Sequence, residues 1–500
     1  MTEAEVARLL DTALARHRAG AFREALADYG RVLAARPDHP DALNLAASAL
    51  RSSGDAAGAL VLARRAATAA PNRADIHYNL GNALSAAGLP GEAVVSFRRA
   101  LELAPDHVEA AANLGISLAR LGDPAGAEAA YRRALDRDPG QRIAGVNLAN
   151  LLGELGRTEE ATECAREAVR RNPDLPEAQY ALSLLLLRRG DWRAGFAAYE
   201  ARWRTAEFSS PVRHAELPDW DGRPLAGGRL LVHAEQGLGD TIQFVRLLPM
   251  AASLGAQVSL EVPTVLVALL SGVAGAEIVD DSIPAEIHAA QVPLLGLPHR
   301  LGLGLGSMPA TVPYLVADPI RVARWRDRLK PGDGTLIGIG WRGNPASPAD
   351  RGRSLPGLGA LAPLAAPGRR LVALQKLGRD EIEPDDGPTG WRVAGDHGFT
   401  VVHPGPDYDA GRDAFLDTAA VMTSVDRVVG VDTSLVHLAG ALARPTSVLL
   451  KRVADWRWLE RRADSPLYPT LHLHRQIVAG DFTAPIAEVA TLLAEAPPSR

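Results

Sequence analysis

Residues 72–105 read NRADIHYNLGNALSAAGLPGEAVVSFRRALELAP, and residues 106–139 read DHVEAAANLGISLARLGDPAGAEAAYRRALDRDP. The two stretches are in register over 34 positions, and the register extends outward in both directions. Prolines stand at Pro37, Pro71, Pro105, Pro139 and Pro173, and glycines at Gly20, Gly54, Gly88, Gly122, Gly156 and Gly190. Five residues after each glycine comes a small side chain: Ala25, Ala59, Ala93, Ala127, Ala161 and Gly195. Three series locked in phase predict one helix pair per repeat. The glycine closes the first helix where a positive φ is needed. The small residue seats the second helix closely against the first, and the proline stops it.

This pattern resembles the tetratricopeptide repeat, in period and in small-residue spacing. The resemblance runs from residue 6 to about 205, so residues 1–205 are expected to form an α-superhelix of about six repeats whose inner groove is lined by the first helices. Asn79, Asn113 and Asn147 occupy one slot of three successive first helices, and Asn82 and Asn150 lie three residues further on. Repeats one, two and six carry Asp11, Leu45 and Ala181 in that slot. A file of amides can donate to and accept from an extended peptide backbone, and similar asparagines line the peptide groove of the protein O-GlcNAc transferases, which these repeats resemble. The same amides can instead bond neighbouring turns of the array.

After Arg204 the period fails. Residues 206–228 are rich in Pro, Gly and charge and read as a linker, with Tyr199, Trp203 and Trp220 expected to pin the arm onto the second half of the chain. Apolar runs then alternate with helical stretches, the mark of an α/β architecture. Strands are expected at 229–234, 257–262, near 277–279 and near 292–295, with one helix over 241–254. A second set has strands at 336–341, 371–374, 425–431 and 446–450, with helices over 415–422 and from Asp432 to Leu442. The expected fold is therefore an N-terminal repeat superhelix followed by two Rossmann-like domains, 229–315 and 333–480; two such sheets facing each other across a cleft would make a GT-B pair, and the resemblance carried by the motifs below implies an acceptor side in the first and a donor side in the second. A terminal helix, 483–495, is expected to cross back over the first sheet.

Two turns carry the chemistry. At a strand-to-helix junction, orphan N–H groups and the helix dipole stabilise a phosphate. Asp432-Thr433-Ser434, with His437 one turn on, offers such a site, and Glu235-Gln236-Gly237-Leu238-Gly239-Asp240 offers a second in which glycines admit close backbone approach. The first segment looks like the donor motif of heptosyltransferase-type enzymes and of the transferase halves fused to repeats in bacterial protein glycosyltransferases. That resemblance implies that Asp432, Thr433 and Ser434 bind donor and that His437 acts on it. The Gly-x-Gly-Asp core is similar to the first heptosyltransferase loop, which implies Asp240 as the base, with Glu235 as its rival. Asp240 and Asp432 also read as plain helix caps, and His437 as a packed histidine. Gly237 and Gly239 belong to the donor site on this reading.

Trp341-Arg342-Gly343-Asn344-Pro345 and Arg351-Gly352-Arg353-Ser354 resemble a family Trp-x-Gly-Asn-Pro with a following Arg-Ser. Trp341, Arg342 and Asn344 become donor-site candidates, and Arg342, Arg351 and Arg353 become forks for phosphate or a sugar carboxylate unless they are solvated. Gln375 and Lys376, at the next strand's end, point to the same cleft. Asp455-Trp456-Arg457-Trp458 matches a signature of the repeat-fused members, although Ala454 and Lys451 stand where prolines are usual. Lys451 beside Arg452 hints at a negatively charged donor.

With 47% hydrophobic and 23% charged residues and a net charge of −5, the chain carries no basic signature for nucleic acid or an anionic membrane. The lone Cys164 leaves no disulfide framework and reads as a helix-packing residue. The start lacks a secretory pattern, no run is apolar enough to span a bilayer, and a cytoplasmic location is expected. No metal or cofactor is required, since no Asp-x-Asp is placed to hold one against a diphosphate. The resemblance implies an inverting transfer from a UDP-, ADP- or CMP-linked sugar to Ser or Thr of a protein held by the repeats, with flagellin a candidate acceptor. The rivals are a surface-polysaccharide or lipid-linked glycan transferase and an inactive repeat scaffold.

Overall fold

The computed structural model describes residues 1–280, 287–329, 334–347, 350–411 and 414–495. It comprises two compact units, Met1–Leu182 and Ser183–Arg500. Helices pair as Glu3–Arg18 with Phe22–Ala35, Pro40–Ser52 with Ala56–Ala69, Ala74–Ala86 with Pro90–Leu103, Val108–Arg120 with Pro124–Arg137, and Arg142–Glu154 with Thr158–Arg171; Pro176–Arg189 and Trp192–Tyr199 come next. The three phase-locked series explain this regularity. Each of the six repeat glycines has φ between +75° and +93°, and its N–H closes on the carbonyl three residues back. Ala25, Ala59, Ala93, Ala127 and Ala161 are fully buried. At Gly195 an added Cβ would lie 2.7 Å from Leu187 Cγ, so a larger side chain there would overpack the pair by roughly 1–3 kcal/mol.

The boundary of compactness falls inside the helix Pro176–Arg189, not near residue 205. The helix Trp192–Tyr199 belongs to the core of the second unit. Trp192 and Phe196 meet Trp456 edge-on at 5.9 and 5.5 Å, and Phe196 meets Phe244 at 6.4 Å. Residues 206–228 are likewise no free linker. The N–H of Trp220 donates to Gln291 O and that of Gln291 to Pro218 O, at 2.8 and 2.9 Å, so the segment runs along an edge of the first sheet.

The first sheet has four parallel strands, β1 (Arg229–His233), β2 (Gln257–Glu261), β3 (Glu277–Val279) and β4 (Ala290–Pro293), in the order β3-β2-β1-β4. The second has eight: β5 (Thr335–Gly340), β6 (Arg369–Ala373), β7 (Ile382–Pro384), β8 (Trp391–Val393), β9 (Val401–Val402), β10 (Arg427–Val431), β11 (Thr446–Leu450) and β12 (Leu471–Arg475). Its order is β12-β11-β10-β5-β6-β9-β8-β7, parallel from β12 to β9 and antiparallel beyond. In both sheets the chain reverses its direction of travel beside the first strand, between β1 and β4 and between β10 and β5. Ligands of open α/β sheets bind in the crevice beyond the carboxyl ends of the strands at such a switch point.

Two expectations are corrected. The helix expected over 241–254 starts at Leu238 and is broken into Leu238–Phe244, a 3₁₀ turn Val245–Leu247, and Leu248–Ser253, because Pro249 has no N–H for the carbonyl of Val245. The helix Thr483–Glu495 does not cross back over the first sheet. Ile486, Val489 and Leu493 bury into the core of the second, with Ile337, Ile339 and Leu371, because that sheet offers the apolar face they need. No helix among the described residues is long and apolar enough to cross a membrane.

Candidate functional site

A cleft of about 700 Å³ lies between the two sheets, a size usual for small-ligand sites. From the second sheet, β10 ends at Val431, Asp432 and Thr433 come next, and the helix Ser434–Ala441 begins. It packs tightly on the sheet because Gly340 is small: a Cβ there would meet Leu435 Cδ1 at 2.7 Å. Thr433 caps this helix in an extended conformation, with no side-chain bond to its first N–H groups. Thr433 and Ser434 line the cleft.

From the first sheet, β1 leads into a turn in which Gln236 has φ +61° and Asp240 Oδ2 accepts from Gly237 N at 3.0 Å. Gly237, Gly239 and Asp240 line the same cleft. At Gly239 an added Cβ would lie 3.2 Å from both Ser434 Cα and His437 Cδ2. The two strand-to-helix turns therefore meet in van der Waals contact.

Arg457, on the loop after β11, joins the sheets. It is buried, and its guanidinium pairs with Asp240, with Asp455 at 2.9 Å and with Gln243 Oε1 at 2.7 Å. Asp432 is buried with Arg353 3.3 Å away; burial raises its carboxyl above the usual range, and the Arg353 charge opposes that rise. For Asp455 burial pushes up too, but the Arg457 guanidinium and N–H outweigh it and hold the carboxyl low. Two neighbouring carboxylates thus have their proton affinities pushed apart, a pattern common in acid–base sites. Burial, reinforced by the nearby Arg457 charge, drives the His437 imidazole down to about 3. His437 is neutral near pH 7.

The structure brings together Asp240, Gly237, Gly239, Arg342, Asn344, Arg353, Gln375, Lys376, Asp432, Thr433, Ser434 and His437. Several carry other duties. Gln375 Oε1 accepts from Trp341 N and Arg342 N at 2.7 and 3.0 Å, pinning the turn after β5. Lys376 Nζ donates to Asp409 O at 2.9 Å, and Arg342 pairs with Glu381. Asn344 Oδ1 accepts from Ala346 N at 3.0 Å.

Five residues stand elsewhere. Glu235 is buried outside the cleft lining, gripped by Arg202 at 2.7 Å and by Leu295 N at 3.2 Å; burial raises its carboxyl while Arg202 opposes that. Its backbone position suggested a rival base, but its side chain turns into the frame. The Trp341 indole lies in the apolar core with Ile337, Leu355 and Leu358, where an aromatic face is worth more than at a solvated rim. Arg351 and Arg452 are exposed and Lys451 is half-buried, all outside the lining.

Sequence reasoning missed Asp409, Phe415 and Thr418 in the lining. Asp409 and Phe415 hold φ of +50° and +67°, a backbone cost that gathers at functional sites. No residue-type signal betrays such strain in a sequence. Asp455 and Arg457 were legible as a motif, and their bridge to Asp240 was not.

In the repeats, Asn79 Nδ2 donates to Asn44 Oδ1 at 2.9 Å, and Asn113 Nδ2 to Asn82 Oδ1 at 2.8 Å. Asn147 bonds Ile143 O of its own helix, and Asn150 is exposed. These bonds run to neighbouring turns, and Asn44, one residue from the expected slot, is part of the file.

With this geometry established, residues 10–74 and 78–142 match one tetratricopeptide-repeat family and residues 118–185 another. The helical array is thus a tetratricopeptide-repeat array, a class that binds protein partners. Protein FlbA of Caulobacter vibrioides is 29% identical over 348 residues, which cover 64% of this chain and 55% of FlbA. The chain therefore spans little more than half of that relative. Among solved structures, YrrB, a repeat protein with an unusual peptide-binding site, is 24% identical over 35% of this chain and 89% of its own, with a TM-score of 0.31. A thermophilic repeat protein of Thermus thermophilus is 22% identical over 36% of this chain and 99% of its own, with a TM-score of 0.32.

Proposed function

We propose that the α/β region is a GT-B glycosyltransferase that moves a sugar from a nucleotide-sugar donor to Ser or Thr of a protein presented by the repeats, with flagellin the first acceptor to test. One observation carries the reading: the turns Gly237–Asp240 and Asp432–Ser434, each beyond the carboxyl end of a switch-point strand, line one cleft at contact distance. Donor phosphate would meet the uncapped N–H groups at Ser434 and the cations Arg342, Arg353 and Lys376. The acceptor oxygen would bond to the anomeric carbon from the face opposite the leaving phosphate. The bond from that carbon to the phosphate oxygen breaks, and the hydroxyl proton passes to Asp240, whose orientation Arg457 fixes.

The test is intact-mass measurement of flagellin and other candidate acceptors incubated with the whole chain and UDP-, ADP- or CMP-linked sugars. The expected result is a mass gain of one sugar residue that disappears in Asp240→Asn. No gain with any donor, together with no nucleotide binding to the chain, overturns the reading.

A further inference from the structure

Lysine is rare in this chain: of its 54 lysine and arginine residues three are lysine, Lys330, Lys376 and Lys451. Lys376 lines the cleft beside Arg342, Arg353 and Arg457. Each of those arginines meets a carboxylate: Arg342 that of Glu381, Arg353 that of Asp432, and Arg457 those of Asp240 and Asp455. Among the described residues Lys376 meets none; its ammonium donates instead to the main-chain oxygen of Asp409 at 2.9 Å. A neutral carbonyl leaves the lysine charge unbalanced. The side chain is exposed, and a lysine stem free to turn would spread that charge over the cleft mouth.

The carbonyl that holds it is fixed from another direction. Phe415 stands at the N-cap of the helix Leu416–Ser424 and gives the first N–H groups no side-chain bond. Asp409 gives it from upstream in the chain: its Oδ1 accepts from Asp417 N at 2.9 Å and from Thr418 N at 3.2 Å. The Thr418 hydroxyl lies 2.5 Å from Oδ2, so both carboxylate oxygens are engaged, and the residue is buried. Asp417 reciprocates. Its Oδ2 accepts from Asp409 N at 3.4 Å, while its Oδ1 accepts from Trp325 Nε1 at 2.8 Å and from Arg321 Nη1 at 3.0 Å. Asp409 has φ +50°, a left-handed backbone that aspartate and asparagine tolerate better than other side chains. Clamped by side chain and main chain at once, Asp409 offers its carbonyl in one direction.

We propose that Asp409 is a positioning residue: its carboxylate, closed on the start of the helix Leu416–Ser424, aims its carbonyl so that the Lys376 ammonium is held ready in the cleft for an anion. A charge already in place spares the ligand from ordering the lysine, an effect of about fivefold in affinity. On the transfer reading that anion is the phosphate group of the donor, and only its identity rests on that reading. Asp409 borders the cleft too, but its carboxylate is committed to the helix, and it acts through Lys376.

Carbon-13 relaxation at Lys376 Cε tests the placement without any ligand. The whole chain labelled with carbon-13 lysine gives three such signals, and that of Lys376 is the one lost in Lys376→Met. Wild type should show a restrained Cε, and so should Asp409→Asn, which keeps the Oδ1 acceptor and accepts the same φ. In Asp409→Gly, which keeps the φ and loses the clamp, the Cε should move freely. A Cε that is free in wild type, or as restrained in Asp409→Gly as in wild type, overturns the proposal; should the glycine variant not fold, the wild-type spectrum can still do so alone. Titration calorimetry with UDP, ADP and CDP adds a second readout. Whichever binds wild type should bind Asp409→Gly about fivefold more weakly, and adding that change to Lys376→Met should weaken binding no further. Equal losses on the two backgrounds overturn the proposal, because Asp409 would then act without Lys376. If no nucleotide binds, the transfer reading falls while the relaxation result still decides the positioning.

Discussion

Gly239 lies against Ser434 so closely that a methyl group on its Cα would come 3.2 Å from Ser434 Cα, although the two residues start helices on different sheets. The His437 ring meets the same point, its Cδ2 also 3.2 Å from where that methyl would stand.

Gly239 has no positive φ, so Gly239→Ala costs space and not backbone strain. The added methyl should weaken nucleoside-diphosphate binding about tenfold, near 1.4 kcal/mol, while Tm falls by only about 3 °C. Titration calorimetry with UDP, ADP and CDP, beside a thermal melt, checks this. Unchanged binding by a nucleotide that wild type does bind would place the ligand away from this contact.

Glu235 is expected to act through the fold. Arg202→Met leaves its carboxylate buried with no cation to balance it, only the Leu295 N–H, and should cost roughly 3–5 kcal/mol. Pairing that change with Glu235→Gln should return most of the loss. Urea unfolding of the two variants checks the restoration, and sugar transfer by the double variant separates this from a catalytic role, in which it would be stable and still inert for want of the carboxylate.

Acid should destabilise the second unit. Burial first, with nearby arginine charge adding for two of them, holds His233 and His403 near 4 and His437 near 3, each below its ordinary 6.5. The unfolded chain therefore takes up protons first as pH falls. Above about pH 6.5 the three cost nothing. Between there and the folded values each removes roughly 1.4 kcal/mol per pH unit. Melting followed from pH 7 to pH 5 should show a falling Tm for the α/β transition, with a shallower slope in His403→Gln. An equal slope in that variant would mean that His403 is solvated.

The place where the chain is cut should matter. A fragment beginning at Pro176 keeps Trp192 and Phe196 against Trp456, and one beginning at residue 206 loses them. The loss of such aromatic packing amounts to about 3–5 kcal/mol per side chain. The shorter fragment should be poorly soluble or molten by circular dichroism, and the longer one should melt cooperatively. Equal melting of the two would show that the aromatic cluster is dispensable.

Most of the repeat architecture was legible because its signals are local. A glycine with positive φ, a buried alanine five residues on and a proline after the second helix act within one repeat and recur. Strands such as β11 and the turns at Gly237–Asp240 and Asp432–Ser434 were legible for the same reason. Strands β7, β8, β9 and β12 were not, because stretches such as Ile382-Glu383-Pro384 and Leu471-His472-Leu473-His474-Arg475 lack a continuous apolar run and depend on neighbours supplied by the sheet. The candidate site divides along similar lines. Residue types flagged Asp240, Asp432 and His437, but the direction of a side chain was invisible: Glu235 and Trp341 sit at the right backbone positions and turn inward.

By itself, the sequence decided the repeat unit and its period, the alternation of strand and helix in the second half, and which turns carry glycine, hydroxyl and carboxylate. These depend on backbone preference and on contacts within a few dozen residues. Tertiary structure alone decided that the last repeat helix belongs to the α/β core, that the terminal helix stays on the second sheet, that Arg457 joins Asp240 to Asp455, and that the Asp409 carbonyl holds Lys376. Those relationships join residues up to more than two hundred positions apart, and burial and hydrogen-bond satisfaction select among them only after the chain has closed on itself.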